Sequence, residues 1–226
     1  MDDSDSAAAD TLAAGVFSEW LEEVRGAIAG DNESDVACGE CTACCTSSQF
    51  VLVAPDETDA LAHIPKALRF AAPRQPVGHV LMGYDEHGRC PMLVDNRCSI
   101  YEHRPRTCRT YDCRVFPAAG VEVDDEPKAL IAQRVRRWRF DYPTPDDRAR
   151  HDAVKAAAVF VRAHCAELPE ESLPANSTQL AVLATQIHDA FIERDAAAGK
   201  LVATDPAVET IAAVLTQRSA PASPNA

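Results

Sequence analysis

Four cysteines fall within eight residues, Cys38-x-x-Cys41-x-x-Cys44-Cys45, and four more follow at Cys90, Cys98, Cys108 and Cys113. A thiolate binds borderline and soft metals tightly, and a C-x-x-C turn lets two sulfurs converge on one ion. A segment crowded with thiols therefore folds around metal, forms disulfides or carries redox chemistry. The compartment decides between these. The chain opens on an acidic stretch, and its first thirty residues hold neither a basic n-region nor an uninterrupted apolar h-region. No apolar run approaches the roughly 18 to 20 residues that a membrane helix needs. The expectation is a cytoplasmic protein without a membrane partner. There, clustered cysteines mean metal or redox catalysis more often than structural bridges, and a disulfide framework is the remote alternative.

The spacing narrows the metal without fixing it. Cys38, Cys41 and Cys44 match the first three positions of the ferredoxin run C-x2-C-x2-C-x3-C-P, but residue 48 is serine, so a fourth ligand must come from elsewhere. Neighbouring Cys44 and Cys45 close only a cramped chelate on one tetrahedral ion and more naturally serve two metals, or two atoms of one cluster. The eight thiolates thus divide into two four-thiolate sites, one polynuclear centre, or one cluster with free thiols. Two zinc ions with eight thiolates would carry a formal charge of about −4, and a four-thiolate cluster is also anionic. Such a centre needs cationic donors nearby. The segment 97–114 supplies Arg97, Arg104, Arg106, Arg109 and Arg114 against Glu102 and Asp112, and Arg104, Arg106 and Arg109 are the candidate outer partners.

Local signals refine this picture. Asp95-Asn96 reads as a hairpin turn. A two-residue loop there pairs Leu93 with Cys98 and sets Cys90 and Cys98 on opposite faces, whereas a three-residue loop sets them on the same face. Pro105 fits position N1 of a short helix, placing Cys108 near a positive helix end that favours thiolate. Cys108 and Cys113 lie about 140° apart on an ideal helix, so that helix must end between them if both serve one centre. His87 and His103 lie close enough in sequence to replace one ligand. Cys165 stands alone in a helical pattern and reads as a buried structural thiol.

The combination of C-x-x-C-x-x-C-C, Cys90-Pro-Met-Leu and Cys98-Ser-Ile-Tyr-Glu-His-Arg-Pro-Arg-Thr-Cys108-Arg resembles the YkgJ-type cysteine-cluster family over residues 38–116. That family is described as chelating zinc or iron and is similar to the cysteine-rich part of flagellin lysine N-methylases. The resemblance implies that Cys38, Cys41, Cys44, Cys45, Cys90, Cys98, Cys108 and Cys113 are metal ligands. It implies metal far more firmly than a reaction, and no glycine-rich nucleotide loop accompanies it.

The rest of the chain reads as mostly helical. The expected fold is α-dominated α+β, with a small, irregular, hairpin-containing metal core. Its expected parts are a disordered acidic start at 1–9, an N-terminal helix within 10–37, the cysteine core at 38–118, a helical part packed on it at 119–218, and a disordered tail at 219–226. The first helix is read from about Asp10 or Thr11 to Ala29. A short buried strand is read at Phe50–Val53, a short helix opening at Pro55–Ala60, a loop at 71–78, and strand–turn–strand from His79 to Tyr101. Helices follow at 128–141, from Thr144-Pro145 to Cys165 or Glu167, from Asn176 to about Asp195, and from Asp205-Pro206 to about Arg218. The net charge of −13 argues against general nucleic-acid binding.

The leading expectation is a cytosolic cysteine-cluster protein holding an iron–sulfur cluster, slightly ahead of zinc. The rivals are a metal-dependent redox enzyme or lysine N-methylase component, and a structural zinc module that binds a protein or RNA partner through Arg134–Arg139.

Overall fold

The computed structural model describes residues 11–31, 36, 38–73, 75–123 and 126–219. The disordered ends expected at 1–9 and 219–226 lie outside this range, apart from Ser219, which closes the last helix. In chain order, strand β1 (Leu12–Val16) runs into helix α1 (Phe17–Ala29). After the cysteine loop come β2 (Val51–Val53), α2 (Thr58–His63), β3 (Arg69–Ala71), β4 (Val80–Met82), β5 (Leu93–Val94) and β6 (Arg97–Cys98). Then follow α3 (Arg106–Thr110), α4 (Val115–Ala119), α5 (Ala129–Val135), β7 (Trp138–Asp141), α6 (Pro145–Ala163) and α7 (Ser177–Ile187). A last hairpin, β8 (Ile192–Arg194) and β9 (Leu201–Ala203), precedes α8 (Val208–Ser219). Helix dominates and the sheets are small, as the sequence suggests. Among the described residues, no helix is long and apolar enough to cross a membrane.

The chain divides into two compact units, one of residues 1–25, 114–122 and 135–226, the other of residues 26–113 and 123–134. In the first, β1 pairs in parallel with β7, Leu12 opposite Trp138 and Val16 opposite Asp141. This overturns two helical readings. Leu12, Val16 and Trp20 do repeat at helical spacing, but Gly15 takes φ +88° and the register slips between Ala13 and Gly15, so the helix starts only at Phe17. Trp138 follows Ile131 and Val135 at helical spacing too. Yet 138–141 alternates half-buried, exposed, buried, exposed, which is the period of a strand. Neither segment carries enough local signal to reveal a partner more than a hundred residues away.

The core of this unit is aromatic. The Phe17 ring lies 5.0 Å from Phe140, 5.6 Å from Trp20 and 4.4 Å from the His151 imidazole. The start of α6 is held as the sequence predicts: Thr144 and Asp147 form a reciprocal capping box with Pro145 at N1, and Asp147 Oδ1 also accepts the Ser18 backbone N–H. Thr144→Ala should lower the unfolding free energy of this unit by about 1 kcal/mol. Both tryptophans, Trp20 and Trp138, lie in the unit, so urea unfolding followed by their fluorescence measures it.

Toward its end the chain departs from the helical reading. α6 stops at Ala163, short of Cys165, and that thiol is exposed rather than buried. α7 stops at Ile187, and 192–203 form a hairpin in which Ile192 faces Ala203 and Arg194 faces Leu201. The segment 192–194 is too short, and the connection from Asp195 to Lys200 too rich in alanine, to show this periodicity.

In the second unit a three-stranded antiparallel sheet has the order β2-β4-β3, with Met82 opposite both Val51 and Arg69. Its small core gathers Val51, Val53, Ala60, Ile64, Met82, Met92 and Ile100, and Cys90, Cys98 and Cys108 pack against it. β2 lies where a buried strand is expected. α2 begins at Thr58, and the expected loop starts only after Ala71, which ends β3.

Candidate metal centre

The loop that carries the first cysteines is built from tight turns. The Cys41 N–H donates to the Cys38 carbonyl at 3.0 Å, the backbone of a C-x-x-C turn, and a 3-10 turn spans Cys44–Thr46. Ser47 is buried and donates to the Ala43 carbonyl at 2.5 Å. Two backbone bonds tie this loop to the second group. The Cys90 N–H donates to the Cys45 carbonyl at 2.7 Å, and the Ser48 N–H donates to the Gly88 carbonyl at 2.9 Å.

Gly88 is required at that crossing. It takes φ +74°, and a Cβ there would sit 2.4 Å from Ser48 Oγ. Gly88→Ala should therefore loosen the Cys45–Cys90 link and lower the melting temperature of the metal-loaded protein by several degrees, as a destabilisation of about 1–3 kcal/mol implies. Calorimetry of the loaded protein checks this.

The hairpin resolves the question of loop length. Leu93 pairs with Cys98 and Val94 with Arg97, and Asp95 and Asn96 both adopt positive φ, 47° and 59°, so the loop has two residues. The opposite-face consequence does not follow, because β5 begins only at Leu93. Cys90-Pro91-Met92 forms a turn closed by the Leu93 N–H on the Cys90 carbonyl, and strand alternation does not reach back to Cys90. The turn at Asp85–Gly88 is present, but the chain beyond it does not pair with β4.

α3 ends at Thr110, before Cys113. Pro105 is its N-cap residue rather than N1.

Among the described residues no disulfide joins the nine cysteines, and eight of the nine are half-buried. Seven of these eight, Cys38, Cys41, Cys44, Cys45, Cys90, Cys98 and Cys108, line one cavity of about 130 Å³, floored by apolar side chains that include Met82, Met92 and Ile100. Cys113 does not line it. Electrostatic neighbours sort the thiols further. Cys44 is raised well above the ordinary thiol range by burial and then by Cys113, Cys38, Cys45 and Cys41. Cys45 is pushed up to about 12 by burial and then by Cys90 and Cys98, ahead of Cys38 and Cys41. Cys108 is likewise pushed up to about 12, by burial and then by Cys90, Cys45 and Cys98. Beside burial, the foremost neighbour of Cys44 is thus Cys113 and that of Cys45 is Cys90, while Cys38 and Cys41 act on both. For Cys108, burial overrides the favourable helix end expected from sequence, while Arg104 pulls its thiol downward.

The comparisons agree with this segment as the chemical part of the chain. Residues 37–133 match a family model described as a "putative zinc- or iron-chelating domain", named CxxCxxCC. No curated protein and no solved structure matches the chain. Most of the CxxCxxCC segment coincides with the second compact unit, and residues 114–122 fall in the first.

The arginines divide. Arg104 is buried, donates from Nε to the Tyr101 carbonyl at 2.9 Å, lies 3.6 Å over the Tyr101 ring and lines the thiol cavity. Arg106 does not face the thiols. Its guanidinium pairs with Asp56 at 2.9 Å, and its backbone N–H donates to Glu57. Arg109 has a buried Nε with no hydrogen-bond acceptor among the described residues. Arg97 lines an open groove of about 750 Å³ that also touches Cys41, Cys45 and Cys98, and Arg114 donates to the Ala14 carbonyl beneath the Trp20 and Trp138 rings.

Neither histidine weighed as a substitute ligand lines the cavity: His87 lies at the exposed turn beside Glu86, and His103 contacts Asp59. That contact belongs to a cluster of Asp59, His63 and His103 that sequence reading missed. The spacing Asp59-x-x-x-His63 on a short helix was the available signal.

Proposed function

We propose that the CxxCxxCC segment is an iron–sulfur-binding module, with one four-thiolate group formed by Cys38, Cys41, Cys44 and Cys113 and a second by Cys45, Cys90, Cys98 and Cys108. The observation that carries the reading is the convergence of seven cysteine side chains outside any disulfide on one cavity beside a buried arginine. Two further points support it. The donor set is all sulfur, which selects zinc or iron–sulfur over harder ions. Arg104, which lines the cavity, is suited to an anionic bound group.

The residues would hold the group as thiolates, while Arg104 balances charge at Cys108. A bound cluster would supply electron-transfer or Lewis-acid chemistry. Because burial favours the protonated thiols, binding displaces protons, and apparent metal affinity rises with pH.

A redox or transferase activity is the second reading. It is favoured by the open groove that reaches Cys41, Cys45 and Cys98.

Anaerobic purification followed by iron, zinc and acid-labile sulfide analysis tests the proposal. Iron with matching sulfide and a brown visible spectrum is the expected result. A colourless zinc protein without sulfide would replace the cluster by zinc, and no stoichiometric metal would overturn the reading altogether.

A further inference from the structure

A second set of ligating side chains stands outside the thiol cavity. Asp59 and His63 are one turn apart on α2, and His103 ends the 3-10 turn Tyr101–His103. Asp59 Oδ2 lies 2.8 Å from His103 Nδ1, and Oδ1 lies 3.6 Å from His63 Nδ1. The two imidazoles stack with centroids 3.5 Å apart and planes 5° apart. One ligand atom from each residue lies within 4.8 Å of the other two.

We propose that Asp59, His63 and His103 form a separate, solvent-accessible site for a divalent transition-metal ion of the zinc, nickel or copper type.

The chemistry of the donors sets the class. Two imidazole nitrogens and one carboxylate oxygen suit borderline first-row ions, whereas calcium and magnesium prefer sets made only of oxygen. The hydrogen bond from His103, outweighing partial desolvation, holds the Asp59 carboxyl below the ordinary range, so the carboxylate is charged and ready to bind at neutral pH. An ion would replace the proton now shared between Asp59 and His103 and draw in His63 from the same helix.

Parallel rings do not aim both lone pairs at one point, so the rings must splay on binding. Their surroundings allow this: both histidine side chains are 40 % exposed and Asp59 is 69 % exposed. Three protein ligands leave at least one position to water, which makes the site exchangeable where a four-thiolate site is closed. His103 lies midway in sequence between Cys98 and Cys108, so the labile ion would be held by the same stretch of chain that carries two thiolate ligands.

The test uses the full chain with its thiolate centre filled and excess metal removed. Calorimetric titration with zinc, paired with metal counting after dialysis, should show one further saturable equivalent. Loss of an outer partner of a metal ligand is already worth about tenfold in affinity, so losing a ligand in His63→Gln or His103→Gln should weaken this step by at least that factor. The metal content and spectrum of the thiolate centre should not change.

Should a variant lose its thiolate metal, the wild-type protein still decides. Zinc should slow modification of His63 and His103 by diethyl pyrocarbonate, read by peptide mass spectrometry, and leave the exposed His87 unaffected. The proposal is overturned if wild type binds no further equivalent, if the double variant His63→Gln/His103→Gln binds it with unchanged affinity, or if zinc protects neither ring.

Discussion

Cys44→Ser and Cys45→Ser should each remove about half of the bound metal, and from different thiolate groups, since a four-thiolate site does not survive loss of a ligand with its affinity intact. The two residues are neighbours in sequence but not in electrostatic company. After burial, the strongest influence on Cys44 is Cys113, whereas on Cys45 it is Cys90. Cys113→Ser should then reproduce the Cys44 result, Cys90→Ser the Cys45 result, and Cys165→Ser, at the exposed thiol beyond α6, should change nothing. Metal and sulfide per chain, measured on anaerobically purified variants, decide the matter. If Cys44→Ser alone empties both groups, the thiolates form one polynuclear centre and the division into two groups is wrong.

The helical unit should lose stability steeply between pH 6.5 and pH 4. His151 is buried among Phe17, Phe140 and Tyr142, and burial, reinforced by Lys155, pulls its pKa down to about 4. Its Nε2–H donates to the Pro117 carbonyl at 3.2 Å, which leaves Nδ1 to accept from the Tyr142 hydroxyl at 2.5 Å. The imidazole is therefore neutral in the fold.

The unfolded chain protonates near pH 6.5 and the native state does not, so falling pH favours unfolding across the interval between the two pKa values. The loss amounts to about 2 kcal/mol by pH 5 and about 3 kcal/mol by pH 4. His188, fully buried and also shifted down by burial, acts in the same direction. Urea unfolding followed by tryptophan fluorescence at pH 7, 5 and 4 measures the effect. His151→Phe should flatten the profile while lowering stability at pH 7, because the Pro117 carbonyl loses its donor. An unchanged slope in that variant would show that the acid sensitivity arises elsewhere.

The metal chemistry was legible in the sequence because it rests on residue type and short spacing. The Cys38–Cys41 turn, the Asp95-Asn96 hairpin and the helix start at Thr144-Pro145 are all local, and each is found in the structure. What was not legible depends on distant contacts. β1 and β7 each look helical until they are set side by side. The direction of an arginine cannot be read from its neighbours either: Arg104 turns into the thiol cavity, while Arg106, two residues on, is captured by Asp56. The assignment of Cys113 to the company of Cys44 likewise needed the fold, since four residues separate it from Cys108 and its thiol does not line the same cavity.

X-ray absorption at the metal edge of the anaerobically purified His63→Gln/His103→Gln protein, in which the Asp59 site is disabled, tests the central claim most directly, because it counts the atoms bound to the metal whichever metal is present. The account predicts a first shell made only of sulfur, about four neighbours at about 2.3 Å per metal atom. A first shell containing nitrogen or oxygen, or a protein with no stoichiometric metal to measure, would contradict it.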